Sequence, residues 1–437
     1  MRPVPLSHPI AWEERHLFLM ARPLLRVASA ACLAWLVTAN LQADDWPAWR
    51  GPRGDGHCLD TGYPLEWSAT KNVRWKVPLP GPGNSTPVIC GQRVFVSCAS
   101  NAGQVRSLIC FQRDAGSSLW QQDVEYTEEE PSHTNNPYCS ASPVTDGERV
   151  IVWHGSAGLY AYDVDGTRLW HRDLGKFEHV WGNCSSPLIH GDLVILNAGP
   201  GLNAYLTAVD KHTGTDVWRR DFPDMVSQEI DELRGSWSTP VIASLGGRDL
   251  LLVSLPMRLH ALDPLTGSDI WSCEGLGKVS YTSPLPSEEA IVAMSGYHGP
   301  AMGVKPGGNG DVTSTHRLWI HEEAPPQRVG AGVIVKDCVY ILNEPGIAWC
   351  IDLLTGEILW KQRLSTAPSW SSACYADGRL YVNDLEGTTF VLQPDESECI
   401  VLARNELGEQ MRASLAFSQG QIFARTYQHL FCLEVAK

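Results

Sequence analysis

Ser142-Pro-Val-Thr-Asp-Gly-Glu-Arg-Val-Ile-Val-Trp-His-Gly-Ser-Ala-Gly-Leu-Tyr-Ala-Tyr-Asp-Val-Asp-Gly-Thr-Arg-Leu-Trp170 is the stretch whose reading decides the fold. It holds three short apolar runs, separated by Asp146-Gly147, by Gly155 with Gly158, and by Asp165-Gly166, and a further run starts at Leu169. Runs this short, rich in β-branched and aromatic residues and broken by Gly and Asp, read as four antiparallel strands joined by tight turns.

The unit then recurs. Thr86-Pro87 leads to Cys110-Phe-Gln-Arg-Asp-Ala-Gly and Trp120, and Ser186-Pro187 to Ala208-Val-Asp-Lys-His-Thr-Gly and Trp218. Thr239-Pro240 leads to Ala261-Leu-Asp-Pro-Leu-Thr-Gly and Trp271, and Ser283-Pro284 through a longer insert to Trp319. Gly332-Val333 leads to Cys350-Ile-Asp-Leu-Leu-Thr-Gly and Trp360. Weaker copies start at Ser372-Ala373 and Ser414-Leu415. Eight four-stranded units with Trp at 75, 120, 170, 218, 271, 319 and 360 predict an all-β, eight-bladed β-propeller.

At 437 residues, length alone suggests about three domains, but a propeller grows by adding blades to one ring. The chain is 43% apolar and 19% charged, with a net charge of −15 and no basic run in the repeats. That excludes nucleic acid as a partner, because phosphates need clustered Lys and Arg. Leu24 to Val37 is apolar but too short to span a membrane, with Arg22 and Arg26 on its N-terminal side and Leu41-Gln42-Ala43 after it. Residues 1–43 therefore read as a cleaved export signal and the mature chain as starting near Asp44, periplasmic or secreted and monomeric. Glu13 and Glu14 suit such a signal poorly, so Met20 reads as the true start. Ser29 argues against lipidation at Cys32. Of the 13 cysteines, Cys110, Cys350 and Cys432 fall where other repeats carry Ala, which marks small core residues; no Cys/His zinc spacing occurs.

Residues 44–66 form a Trp-, Pro- and Gly-rich lead-in, expected to dock Trp46 and Trp49 on the ring. The propeller proper is assigned to 67–437. Trp75 has no repeat before it and the last repeat lacks its final strand, so Val73–Val77 should close the ring against Leu430–Val435. In the Asp-x-x-Thr-Gly turn, Asp caps backbone amides and Gly supplies positive φ; the Trp that follows should wedge between blades. Arg404-Asn405 stands where the seventh repeat would carry Trp, which predicts a weaker junction.

The repeat Ala-x-Asp-x-x-Thr-Gly-x-x-x-Trp resembles the pyrroloquinoline-quinone-like propeller repeats of quinoprotein alcohol dehydrogenases and of an outer-membrane assembly lipoprotein. Trp46-Pro-Ala-Trp-Arg-Gly-Pro, Asn136-Pro-Tyr-Cys-Ser-Ala-Ser-Pro and Val304-Lys-Pro-Gly-Gly-Asn-Gly-Asp-Val-Thr resemble a secreted planctomycete-type subfamily without assigned activity. The dehydrogenase resemblance implies pyrroloquinoline quinone with Ca²⁺ beneath a disulfide of adjacent cysteines. This chain has no Cys-Cys dipeptide, and no catalytic or metal-ligating residues can be matched to that pattern.

The residues ahead of each Ser-Pro should ring one mouth of the central channel: Asn84, His133 with Asn135 and Tyr138, His179 with Trp181 and Asn183, Arg234 with Trp237, Tyr281, Arg328, Trp370 and Arg412. Of these Trp181, Asn183, Trp237, Arg328, Trp370 and Arg412 are the ligand-binding candidates, since aromatics and arginines together stack and clamp a planar anion. Pro306–Asp311 reads as a long hairpin turn with no helix after it, and Glu128-Glu129-Glu130 as a solvated loop. No nucleophile elbow occurs. The expected function is a non-catalytic binding or scaffolding module for a protein or small-molecule partner; the alternative is a quinone-dependent oxidoreductase acting on a small alcohol or sugar.

Overall fold

The structure, a computed structural model, describes residues 45–230, 232–323 and 325–436. Residues 1–43, expected to be an export signal, lie outside the described residues, and with them Met20, Cys32 and Ala43. Eight four-stranded antiparallel blades follow one another in chain order. Their innermost strands are Val88–Cys90, Val144–Thr145, Leu188–His190, Val241–Leu245, Leu285–Pro286, Val333–Val335, Cys374–Ala376 and Ala416–Ser418. The eighth blade takes its outermost strand from Val73–Pro78, with Val73 opposite Leu433, Trp75 opposite Cys432 and Val77 opposite Leu430. Closure by the N-terminal strand leaves no open edge at the seam.

The blade junctions show why the repeat carries these residues. Each outer-strand Trp faces a small residue in register: Trp120 opposite Cys110, Trp170 opposite Ala161, Trp218 opposite Ala208, Trp360 opposite Cys350. The ring then leans into the next blade and donates its Nε1 to a carbonyl of that blade's Asp-x-x-Thr-Gly turn. Trp75 reaches Arg113 at 2.7 Å, Trp170 reaches Lys211 at 2.9 Å, and Trp218 reaches Pro264 at 3.0 Å. The turn glycine lies flat on the same ring. A Cβ on Gly214 would stand 2.7 Å from Trp170, at φ +70°. Glycine is thus required twice at this position, by the backbone and by the neighbouring indole.

Two junctions depart from the pattern. Trp271 is fully buried without a hydrogen-bond partner for its Nε1 among the described residues, where the fifth repeat carries its insert. That insert is more than the hairpin turn expected of it: Gly310–Asp311 pairs parallel to Trp271 and Ser272 as a fifth strand of blade four. Asp311 then accepts from Thr313 N at the start of a one-turn helix, Thr313–His316, and from Arg258 of blade four at 3.0 Å. In blade seven the residue in register with the missing Trp is Ala403, not Arg404-Asn405. Trp67 packs there instead, 97% buried and stacked on Tyr381, with its backbone N held by Asn405 at 2.8 Å.

The lead-in runs across the inner edges of the blades. Trp46 exchanges two backbone bonds with Ile89 of blade one, and the Pro47 carbonyl accepts from Thr145 of blade two. His57–Cys58 pairs parallel with Tyr375 and Ala376 of blade seven. Arg50 is fully buried at the centre and donates to the carbonyls of Gly332 at 2.7 Å and Asp55 at 2.6 Å. Four main-chain acceptors, the other two being Gly54 and Ala373, take up four of the five N–H donors of this cation. The segment that falls outside the repeat is therefore built into the channel.

Candidate functional site

Above the lead-in, the Ser-Pro entries to the innermost strands form a girdle around the channel. Thr86 N donates to Ser142 Oγ, Ser142 N to Ser186 Oγ, and Ser186 N to Thr239 Oγ1, each at 2.9 Å. Ala331 N to Ser372 Oγ and Ser372 N to Ser414 Oγ continue it. At these five junctions one short hydroxyl links an inner strand to its neighbour, while blade six carries Ala331 at this place and Thr86 Oγ1 makes no such bond among the described residues. The residues just ahead of each hydroxyl are thereby held at the rim.

The rim encloses a cavity of about 120 Å³. Trp49 of the lead-in is its floor. One wall is aromatic: His133 stacks on Trp181 at 5.5 Å, Trp181 on Tyr281 at 6.0 Å, and Tyr281 meets Trp237 edge-on at 5.2 Å. Gly296 makes room for this wall, since any Cβ there would collide with the Tyr281 ring. Burial pushes the Tyr281 phenol up, so it stays neutral. Across the cavity Arg412 lies 5.7 Å from the Trp370 ring and 4.6 Å from Tyr427. Its Nη2 donates to Asn135 Oδ1 at 2.9 Å, while Nε and Nη1 are buried without a hydrogen-bond partner among the described residues, as is Trp370 Nε1. Burial raises the Tyr427 phenol, and the charges of Arg412 and Arg425, with the approach of the Arg412 guanidinium to its hydroxyl, moderate the rise. Buried donors left open beside a cavity, facing stacked rings, suit a ligand with a flat face and an anionic group.

Four of the six sequence candidates, Trp181, Trp237, Trp370 and Arg412, line this cavity. The structure does not bring the other two to it. Asn183 turns its side chain down to Glu130 at 2.8 Å. Arg328 is fully buried with Nη1 on the Gly299 carbonyl at 3.2 Å, and burial lowers its pKa to about 10; its neighbour Val329 lines the cavity instead. Trp237 is itself 95% buried and donates to the Gly182 carbonyl at 2.8 Å, so it holds the wall as well as lining it. Tyr138 and His179 support the rim from behind, through Glu130 O at 2.6 Å and Glu232 O at 2.9 Å.

Glu130 is a correction. It lies in the supposed solvated run, yet it is 94% buried and pairs with Arg106 at 2.8 Å. It also accepts from Asn183 and Ser156 N, and Arg106 donates on to the His154 carbonyl. This network ties the loop bearing His133, Asn135 and Asn136 down onto blades one to three. Sequence reasoning also missed Tyr427, whose position just ahead of His429–Leu433 in blade eight carries no repeat signal.

The quinone and Ca²⁺ implied by the resemblance can be tested against these side chains. The aromatic wall and Arg412 match flat rings and carboxylates. The cation is not matched: no Asp or Glu lines the cavity, and among the described residues no cluster of His, Cys, Asp and Glu could hold a metal. Ca²⁺ takes six or more oxygen ligands, carboxylates foremost.

Comparison with known proteins follows the same lines. A family model described as outer membrane protein assembly factor BamB matches residues 104–362 and 202–436. The outer membrane protein assembly factor BamB of Alkalilimnicola ehrlichii is 26% identical over 214 residues, 47% of this chain and 49% of that protein. The chain thus spans about half the length of this curated relative. Among solved structures, BamB from Moraxella catarrhalis superposes with a TM-score of 0.60 at 16% identity, over 83% of this chain and 97% of that one. A europium-containing methanol dehydrogenase gives 0.63 at 10% identity, over 90% and 98%. The quinohemoprotein alcohol dehydrogenase from Comamonas testosteroni gives 0.64 at 10%, over 90% and 81%. At such identities the structural likeness is one of fold.

Proposed function

Since the chain belongs to the family described as outer membrane protein assembly factor BamB, a family of pyrroloquinoline-quinone-like propellers, we propose that it is an exported, periplasmic or secreted binding module of that kind. Its channel mouth takes a ring-bearing anion without catalysing a reaction on it. The observation that carries this reading is the set of open donors on Arg412 and Trp370, buried opposite the Trp181–Tyr281–Trp237 wall. Leaving buried donors unpaired costs about 1–3 kcal/mol each, and a bound carboxylate removes that cost. The relatives named for outer-membrane protein assembly support a binding and scaffolding role over chemistry.

The test is a fluorescence titration of the mature chain with 1,3,5-benzenetricarboxylate and with pyrroloquinoline quinone, each with and without Ca²⁺. The expected result is saturable quenching that is independent of Ca²⁺ and lost in Arg412→Ala. Binding that requires Ca²⁺, together with dye reduction on addition of an alcohol, would favour the oxidoreductase alternative. No quenching by either anion at millimolar concentration would refute the mouth as a site.

A further inference from the structure

The lower end of the channel offers a second, unrelated site. In every blade the innermost strand has one edge free of its own sheet. The register decides which residues present their N–H and C=O groups there. In blade one Ile89 stands opposite Val94, one pair in from the hairpin, and its free N–H and C=O bond Trp46. The equivalent residues of blades two and seven, Thr145 and Tyr375, donate to the lead-in carbonyls of Pro47 and Gly56. In blade six the Ile334 carbonyl takes the His57 ring at 2.7 Å, and in blade eight the carbonyl of Phe417, which stands opposite Ile422, takes the Cys58 thiol at 3.9 Å.

Among the described residues, blades three and four have no such partner from the lead-in. Ile189 pairs with Val194 and Ile242 with Leu251 in the same alternation, so their backbone groups face outward. Blade four has the longest innermost strand, five residues, which puts the outward groups of Ser244 on the same edge. These edges open onto a cleft of about 770 Å³, walled on the far side by Pro47 to Asp55 of the lead-in. That volume lies within the roughly 300–1,000 Å³ of ordinary ligand clefts. Ile189 and Ile242 are only half-buried. Blade five ends the edge, because Pro286 occupies the equivalent position and has no N–H to offer.

We infer that the inner edges of blades three and four bind an extended, alternately apolar peptide of another protein, which adds to blade four as a strand. The occupant's chemistry follows from what already covers the neighbouring edges: the lead-in is an extended segment bonded backbone to backbone, and the open edges continue that interface with the same register. An added strand satisfies the Ile242 and Ser244 groups as His57–Cys58 does those of blade seven, and its next residue reaches Ile189. Its apolar side chains fall against Leu188, Val241 and Leu245. This is strand addition, in which main-chain bonds supply affinity and alternate side chains supply specificity.

The probe is a fluorescent, end-blocked Thr-Val-Thr-Val-Thr-Val peptide, with a control in which every second amide is N-methylated. Anisotropy with the mature chain should show saturable binding by the first and none by the second. Deuterium exchange should slow at the amides of Ile189, Ile242 and Ser244. Ile242→Pro, which copies the proline that blade five already carries, should weaken binding about tenfold, the loss of one hydrogen bond of ordinary net strength. Ile189→Pro serves as a second variant should the first unfold. Arg412→Ala should leave peptide binding unchanged, so that failure here and failure of the mouth site are told apart. The inference falls if the methylated peptide binds equally, if the peptide does not bind, or if protection appears at the mouth. It also falls if the chain dimerises through this edge and Ile242→Pro makes it monomeric, since the occupant would then be a second copy.

Discussion

If the turn glycine is required by the neighbouring indole as well as by its own backbone, the two requirements can be separated by mutation. Gly214 has φ +70° and a Cβ there would stand 2.7 Å from the Trp170 ring; Gly246 has φ +59° and nothing within 4 Å of an added Cβ. Gly246→Ala therefore incurs only the left-handed backbone cost, about 1–2 kcal/mol. Gly214→Ala incurs that and the displacement of a packed ring, about 1–3 kcal/mol more. Trp170 is 92% buried, with its Nε1 on the Lys211 carbonyl at 2.9 Å, so Trp170→Ala should cost about 3–5 kcal/mol. In the Trp170→Ala background there is no ring to displace, and adding Gly214→Ala should again cost only about 1–2 kcal/mol. Urea unfolding of the wild type, Gly214→Ala, Trp170→Ala and the double variant closes a double-mutant cycle with an expected coupling of about 1–3 kcal/mol. Equal costs for Gly214→Ala and Gly246→Ala, or strict additivity in the cycle, would show that the junction is not sealed in this way.

Acid should weaken the fold through one buried histidine. His154 faces the Cys139 thiol at 3.5 Å, and burial followed by the Arg106 charge pushes its pKa down to about 3. The unfolded chain binds that proton below about 6.5 and the folded chain does not, so its contribution is complete above 6.5 and declines as pH falls toward 3, by about 1.4 kcal/mol per unit. His154→Gln should flatten the slope of unfolding free energy between pH 6.5 and 5; an unchanged slope would refute the assignment. Deleting residues 45–78 removes both the channel segment and the strand that closes blade eight. The thermal midpoint should drop sharply and size-exclusion chromatography should show oligomers formed through the exposed edge; a monomer with an unchanged midpoint would contradict ring closure.

How much of this was legible beforehand follows from where each signal resides. The propeller was legible because its determinants are local and repeated: short β-branched runs, Asp-x-x-Thr-Gly turns, and one Trp per unit. An orphan Trp75 and a truncated last repeat made the closure legible too, since a missing strand and a spare one have a single economical pairing. The rim was half legible. Position ahead of Ser-Pro picked out Trp181, Trp237, Trp370 and Arg412, which line the cavity. It did not distinguish them from Asn183 and Arg328, whose side chains turn to Glu130 and Gly299.

The sequence by itself determined the blades, their number, their order and the joint that closes them. Only the tertiary structure decided what fills the ring. Whether Glu130 is solvated depends on Arg106, 24 residues away, and on Asn183, 53 residues away. Whether residues 45–63 dangle or run across the channel depends on backbone groups of blades one, two, six, seven and eight, most of them hundreds of residues distant. A turn or a strand is set by the torsional and packing preferences of neighbours in the chain, which the sequence states directly. The solvation of a charge, and the edge that an extended segment chooses, are set by groups that become neighbours only once the ring has closed.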